Sequence, residues 1–108
     1  MPNDLPPPVA TYVEANARLD AEGMLAPFAE DAVVLDHGRR HAGHDEIRTW
    51  IRSETIRSNA VFTPGTSRER DGRVVVEGLT AGAFPGSPIR FTFVFEIRGE
   101  TITALEIA

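Results

Sequence analysis

Ile89, Phe91, Phe93, Phe95 and Ile97 alternate with Arg90, Thr92, Val94, Glu96 and Arg98. A period of two held over ten residues fits only an extended strand with one apolar face. Such a face is unstable in water, so the chain must supply both neighbouring strands and a second layer to cover it. The neighbours are visible on either side. Asp71-Gly72 separates Arg68-Glu69-Arg70 from Arg73-Val74-Val75-Val76, and Asp-Gly supplies the positive φ angles that a two-residue hairpin turn needs. Pro85-Gly86-Ser87-Pro88 marks a further connection, and Arg98-Gly99-Glu100 turns the chain into a last strand over 101–107. Four strands are therefore expected after Ala60. Pro64-Gly65, Gly78 and Gly82 fall within or beside them, where bulges and bends form.

The covering layer lies in the first half. Pro6, Pro7 and Pro8 can open a helix but not continue one backwards. Beyond them Val9, Tyr12, Val13 and Ala17 recur at helical spacing, with Glu14 and Arg18 as an i,i+4 pair on the other side. Asp20 is placed to cap a second short helix through Met24 and Leu25, which Phe28 is expected to close. A strand over 32–36, a turn at His37-Gly38-Arg39 and a short return over 40–42 read as a hairpin. After Gly43, Asp45 and Glu46 suit the first turn of a third helix, whose inward face carries Ile47, Trp50 and Ile51 and which ends near 57–59. Helices followed by consecutive strands predict an α+β domain, with three helices packed on one face of a curved, cone-like antiparallel sheet. At 108 residues the chain makes one such domain.

Charge and composition narrow the function. Eleven basic against 16 acidic residues leave a net charge of −5, which repels phosphate backbones and argues against nucleic acid as a partner. The absence of cysteine excludes disulfides, thiolate nucleophiles and cysteine-based metal sites. No apolar run approaches a membrane span, so a cytoplasmic protein without a membrane role or cofactor is expected.

Few residues are placed to do chemistry. Asp36 ends the apolar run Val33-Val34-Leu35 on the same side as Val34. If that face is the inner one, partial loss of water makes its carboxylate a better proton acceptor. The same position also suits an aspartate that bonds the amides of the His37-Gly38 turn, the commoner role of aspartate before such a turn. Tyr12, the one tyrosine, lies on the inward stripe of the first helix, where its phenol either donates to a ligand oxygen or packs as core. Trp50 is a cavity wall or core filler. His37, His41 and His44 lie close in sequence, but the His41-x-x-His44 spacing crosses a strand-to-helix junction, so no metal site is expected. His37, beside Asp36, is the histidine best placed to carry a proton.

Tyr12-Val13-Glu14-Ala15, Asp20, the run from Phe28 to Asp36, Gly43 and Ile47-Arg48-Thr49-Trp50 resemble the N-terminal half of the nuclear transport factor 2-like superfamily, in particular the ketosteroid isomerases and SnoaL-like proteins. The resemblance implies a cone-like, cystatin-like fold around an apolar pocket. It puts Asp36 at the isomerases' general base, Tyr12 at their oxyanion-hole phenol and Trp50 at a pocket aromatic. It further implies pocket walls at Phe28, Val34, Phe91, Phe93 and Phe95, a small apolar molecule as ligand and a homodimer. One departure stands out: the second acid that assists the phenol in those isomerases should fall near Phe93, and Phe91, Phe93 and Phe95 leave none there. The expected activity is thus proton transfer next to a carbonyl, as in an isomerase, cyclase or dehydratase, with Asp36 as base, Tyr12 as electrophile and His37 assisting. A non-catalytic binding or dimerisation domain is the alternative. An epoxide hydrolase of the limonene type would need a second inward acid, and none is visible.

Overall fold

The computed structural model describes residues 5–108. Asn3 and Asp4, which precede the prolines that open the first helix, lie outside the described residues. Helix α1 spans Pro7–Ala17 with proline in its first turn, and it buries Val9, Tyr12, Ala15 and Asn16. Asp20 caps α2 (Ala21–Leu25) by accepting a 3.1 Å bond from the Gly23 amide. Phe28 does not close that helix: it is buried as the first residue of strand β1, Phe28–Asp36. The exposed pair Glu30-Asp31 interrupts the apolar pattern there, where the pairing register shifts between Phe28 and Val33, and so hides the strand's first half.

His37 and Gly38 connect β1 to β2 (Arg39–Ala42) with φ of 50° and 88°. Both values are positive, as a two-residue turn matching the strand twist requires. Helix α3 (Gly43–Trp50) then runs into a π-helical segment, Ile51–Ile56, rather than continuing as a single α-helix. Wider turns close its end, with the Arg57 amide on the Arg52 carbonyl and the Ala60 amide on the Thr55 carbonyl. Neither propensity nor period marks this change.

Four strands follow: β3 (Val61–Arg70), β4 (Arg73–Ala81), β5 (Ile89–Arg98) and β6 (Thr101–Ile107). The sheet order is β2-β1-β6-β5-β4-β3. Every neighbouring pair is antiparallel except β1 and β6, which run parallel. That pairing sets Asp36 beside Ile107, and Ile107 in turn lies beside Phe93. Bends fall at the glycines: β3 shifts register between Pro64 and Thr66, and Gly82 at the end of β4 comes so close to Ser58 that a Cβ would stand 2.6 Å from its carbonyl oxygen.

The core between helices and sheet holds Met24, Val34, Ile47, Ile51, Phe95, Ile102 and Leu105, all almost fully buried. Buried Asn16 crosses from α1 to the start of β3, donating to the Ala60 carbonyl at 2.9 Å and accepting from the Phe62 amide at 2.7 Å. It satisfies two backbone groups that helix and sheet leave over. No helix among the described residues is long and apolar enough to cross a membrane.

Candidate active site

The layers do not meet everywhere. Between α1, the π-helical segment and the inner faces of β4 and β5 lies a cavity of about 240 Å³, below the roughly 300–1,000 Å³ of sites for drug-sized ligands. Its walls are mostly aromatic and aliphatic, including Phe62, Phe84, Ile89, Phe91, Phe93 and Ile107. Tyr12 and Asp36 both border it, Tyr12 from the inward face of the first helix and Asp36 from the end of the first strand.

Asp36 is held at both carboxylate oxygens. The Trp50 indole N–H donates to Oδ2 at 2.9 Å, and His37 Nδ1 lies 2.7 Å from Oδ1. These side chains, rather than the amides of the adjacent turn, are its partners among the described residues. The acid's side chain is 21% exposed, whereas that of His37 is 52% exposed, so the pair leads from the cavity wall to solvent. His37 holds a left-handed backbone that ordinarily costs a non-glycine residue about 1 kcal/mol or more. Its ring is fixed by the carboxylate and by an edge contact with Phe91 at 5.0 Å, which offsets that strain. Asp36 and His37, with Arg39, His41 and Glu54, also border a second, polar cavity of about 300 Å³.

Tyr12 is 3% exposed, its ring packed edge-on against Phe28 and Phe95 with centroids 5.8 and 5.7 Å away. Its hydroxyl bonds no protein group among the described residues. Burial, reinforced by the charge of Asp36, pushes the phenol well above its ordinary ionisation range, so it stays protonated and able to donate.

Of the expected wall residues, Trp50, Phe91 and Phe93 border the cavity. Phe28, Val34 and Phe95 do not. They are buried in the core, where Phe28 and Phe95 pack against the Tyr12 ring of the first helix and Val34 lies on β1, the strand that α3 covers. The three histidines are employed separately: His37 on Asp36, His41 beside the Trp50 ring at 6.0 Å, and His44 with Nε2 2.8 Å from the Phe28 carbonyl oxygen. Sequence reasoning missed Asn16, Glu54, Thr55, Ser58 and Thr80 as wall residues. The π-helical turns set the middle three, and no pattern in the sequence announces them; Thr80 left a readable sign, a polar residue on the inward register of a valine-rich strand.

A helical layer over a curved six-stranded sheet, with an acid and a phenol in the cavity between them, defines a protein of the nuclear transport factor 2 and ketosteroid isomerase-like fold. The chain belongs to the SnoaL-like domain family, whose profile matches residues 9–105. Among solved structures it is similar to a Sinorhizobium meliloti protein provisionally named polyketide cyclase, at 35% identity over 97% of this chain and 96% of that one, with a TM-score of 0.91. Two more distant structures share the fold. A Catenulispora acidiphila protein of ketosteroid isomerase-like fold, in complex with trimethylamine, is 22% identical over 95% and 85% of the two chains with a TM-score of 0.83. A Mycobacterium tuberculosis protein in complex with estradiol-17beta-hemisuccinate is 15% identical over 93% and 88%, with a TM-score of 0.80. No curated protein matches the chain.

Proposed function

We propose that the chain is a small-molecule enzyme that moves a proton next to a carbonyl group, as isomerases, cyclases and dehydratases do. The observation that carries this reading is that Asp36 and Tyr12 border one apolar cavity, the acid anchored by Trp50 and His37 and the phenol kept neutral by burial. Asp36 takes a proton from the carbon beside the carbonyl; its two oxygens offer about four lone-pair sites, so the bonds to Trp50 and His37 leave room for the incoming proton. Tyr12 donates to the carbonyl oxygen, a bond that strengthens as negative charge develops there. The proton then returns to another carbon, or the enolate carbon bonds a second carbonyl carbon of the same substrate, whose π electrons pass to its oxygen, and that oxygen takes the proton from Asp36. His37, half in solvent, exchanges protons between Asp36 and water.

The 35% identity to a protein provisionally named polyketide cyclase favours oxygenated, ring-forming substrates within that class. That relatives of the same fold hold trimethylamine or estradiol-17beta-hemisuccinate supports a small organic molecule as the occupant. In this reading two copies assemble through the outer sheet face, where Leu79 is 44% exposed, and sedimentation should report a dimer that Leu79→Asp weakens. Phe91 and Phe93, standing where a second acid would help the phenol, favour the alternative of a non-catalytic binding domain.

Solvent-deuterium exchange separates the two readings. Benzalacetone, a methyl ketone on a short aryl chain, should gain deuterium faster with the protein than with buffer alone. Asp36→Asn should bind it within threefold and lose at least roughly 99% of the catalysed exchange, on the order of the 10²–10⁴-fold that general bases contribute. Full exchange by a folded Asp36→Asn protein refutes the enzyme and leaves the binding domain.

A further inference from the structure

Thr80 is the one polar side chain on the inward register of β4, where burial alternates without a break from Val74 through Val76 and Gly78 to Thr80. Val74 and Val76 point inward and are buried, as the rule requires. At the next positions Leu79 faces solvent, 44% exposed, while Thr80 faces the cavity and is 7% exposed. Its cross-strand neighbours Phe62 and Ile89 both border the same cavity. The Thr80 hydroxyl oxygen is shut off from solvent and has no hydrogen-bond partner among the described residues. A buried hydroxyl left unpaired is destabilising, and valine would fill the same space without that cost. Places where a chain breaks its own pattern at such a cost are where function is expected to have imposed it.

We infer that Thr80 is a specificity residue of the cavity, its hydroxyl bonding an oxygen function at the end of the ligand remote from the reacting carbonyl. The inference rests on the proposed function only in taking this cavity as the ligand site. Rotation of χ1 by about 120° carries the hydroxyl to the place of the methyl group, and the methyl to that of the Cβ hydrogen, turning the hydroxyl toward a ligand. Asp36, Ile107, Phe93 and Val76 lie in successive register on β1, β6, β5 and β4, and Thr80 is four residues beyond Val76. Three strand spacings of about 4.8 Å and four residues of about 3.3 Å put Asp36 and Thr80 about 19 Å apart along the sheet, before curvature and side chains shorten the gap. One compact polar group cannot meet both. The ligand class that fits is therefore elongated, apolar in its middle, with an enolisable carbonyl at one end and a hydroxyl, phenol or second carbonyl at the other.

The test pairs benzalacetone with para-hydroxybenzalacetone, which differs by one phenolic hydroxyl at the far end. Trp50 fluorescence reads binding of each to the wild-type, Thr80→Val and Thr80→Ser proteins. The wild type should prefer the hydroxylated probe by roughly three- to tenfold, the range of one neutral hydrogen bond. Thr80→Val should abolish the preference with binding of benzalacetone unchanged, and Thr80→Ser should restore it. Thr80→Val should also raise Tm by a few degrees, up to roughly 8 °C for a domain of this size. A preference that survives in Thr80→Val, a wild type without preference or binding, or a fall in Tm that exposes an internal partner overturns the inference. Asp36→Asn keeps the two claims apart: if it leaves exchange intact while Thr80→Val loses selectivity, the cavity binds as inferred but the chemistry fails. If exchange depends on Asp36 and selectivity ignores Thr80, only the present inference fails.

Discussion

Replacing Tyr12 by phenylalanine separates what the phenol does for the fold from what it does for the reaction. The ring is the structural part. Its edge contacts with Phe28 and Phe95, each worth about 0.5–1.5 kcal/mol beyond area burial, survive the change. The hydroxyl has no protein partner among the described residues, so its removal should shift stability by no more than about 1 kcal/mol in either direction. The proposed catalysis is different, because with no acid on the inner face of β5 the phenol would be the main donor to the developing oxyanion. Loss of one such donor costs 10²–10³-fold in rate, or about 3–4 kcal/mol. Urea denaturation and deuterium exchange into benzalacetone, run on one preparation of Tyr12→Phe, measure both quantities. The reasoning is refuted if the folded variant exchanges within threefold of wild type, or if it loses more than about 2 kcal/mol of stability.

The same variant isolates a pH dependence. Burial raises the Tyr12 phenol in the folded protein above its ordinary value of about 10, so the unfolded chain releases that proton first as pH rises. The stabilisation is complete below pH ~10 and is lost above it at about 1.4 kcal/mol per pH unit, until the folded phenol itself ionises. Urea midpoints between pH 9 and 11 should therefore fall more steeply for wild type than for Tyr12→Phe, and parallel curves would contradict the burial. Asn16→Ala strips the Phe62 amide and the Ala60 carbonyl of their buried partner and should cost about 2–4 kcal/mol of unfolding free energy, with an unchanged value showing that water reaches both groups.

How much was legible in the sequence follows from how local each signal is. The strand over 89–98 and the Asp71-Gly72 hairpin are fixed by period and turn chemistry within a few residues, and both stand where expected. Asp20 likewise caps its helix through a side chain whose partner is three residues away. The parallel pairing of β1 with β6 was not legible, since it joins segments about 70 residues apart with nothing local to announce it. Asp36 and Tyr12 were found as site candidates because each is a polar group on an apolar stripe. The wrongly placed walls, Phe28, Val34 and Phe95, show the limit of that logic: an inward apolar residue faces core or cavity according to what packs above it, which periodicity does not encode. The π-helical segment is similar, because the wider turn that brings Glu54, Thr55 and Ser58 to the cavity has no composition of its own.

A crystal structure of the protein with a naphthol bound tests the central claim most directly, since the naphthol oxygen imitates the enolate that proton removal would create. That oxygen should sit within roughly 3 Å of the Tyr12 hydroxyl and in hydrogen-bond reach of Asp36, its rings against Trp50 and Phe93. A naphthol bound elsewhere, or seated in the cavity with Asp36 swung out to solvent, would contradict it.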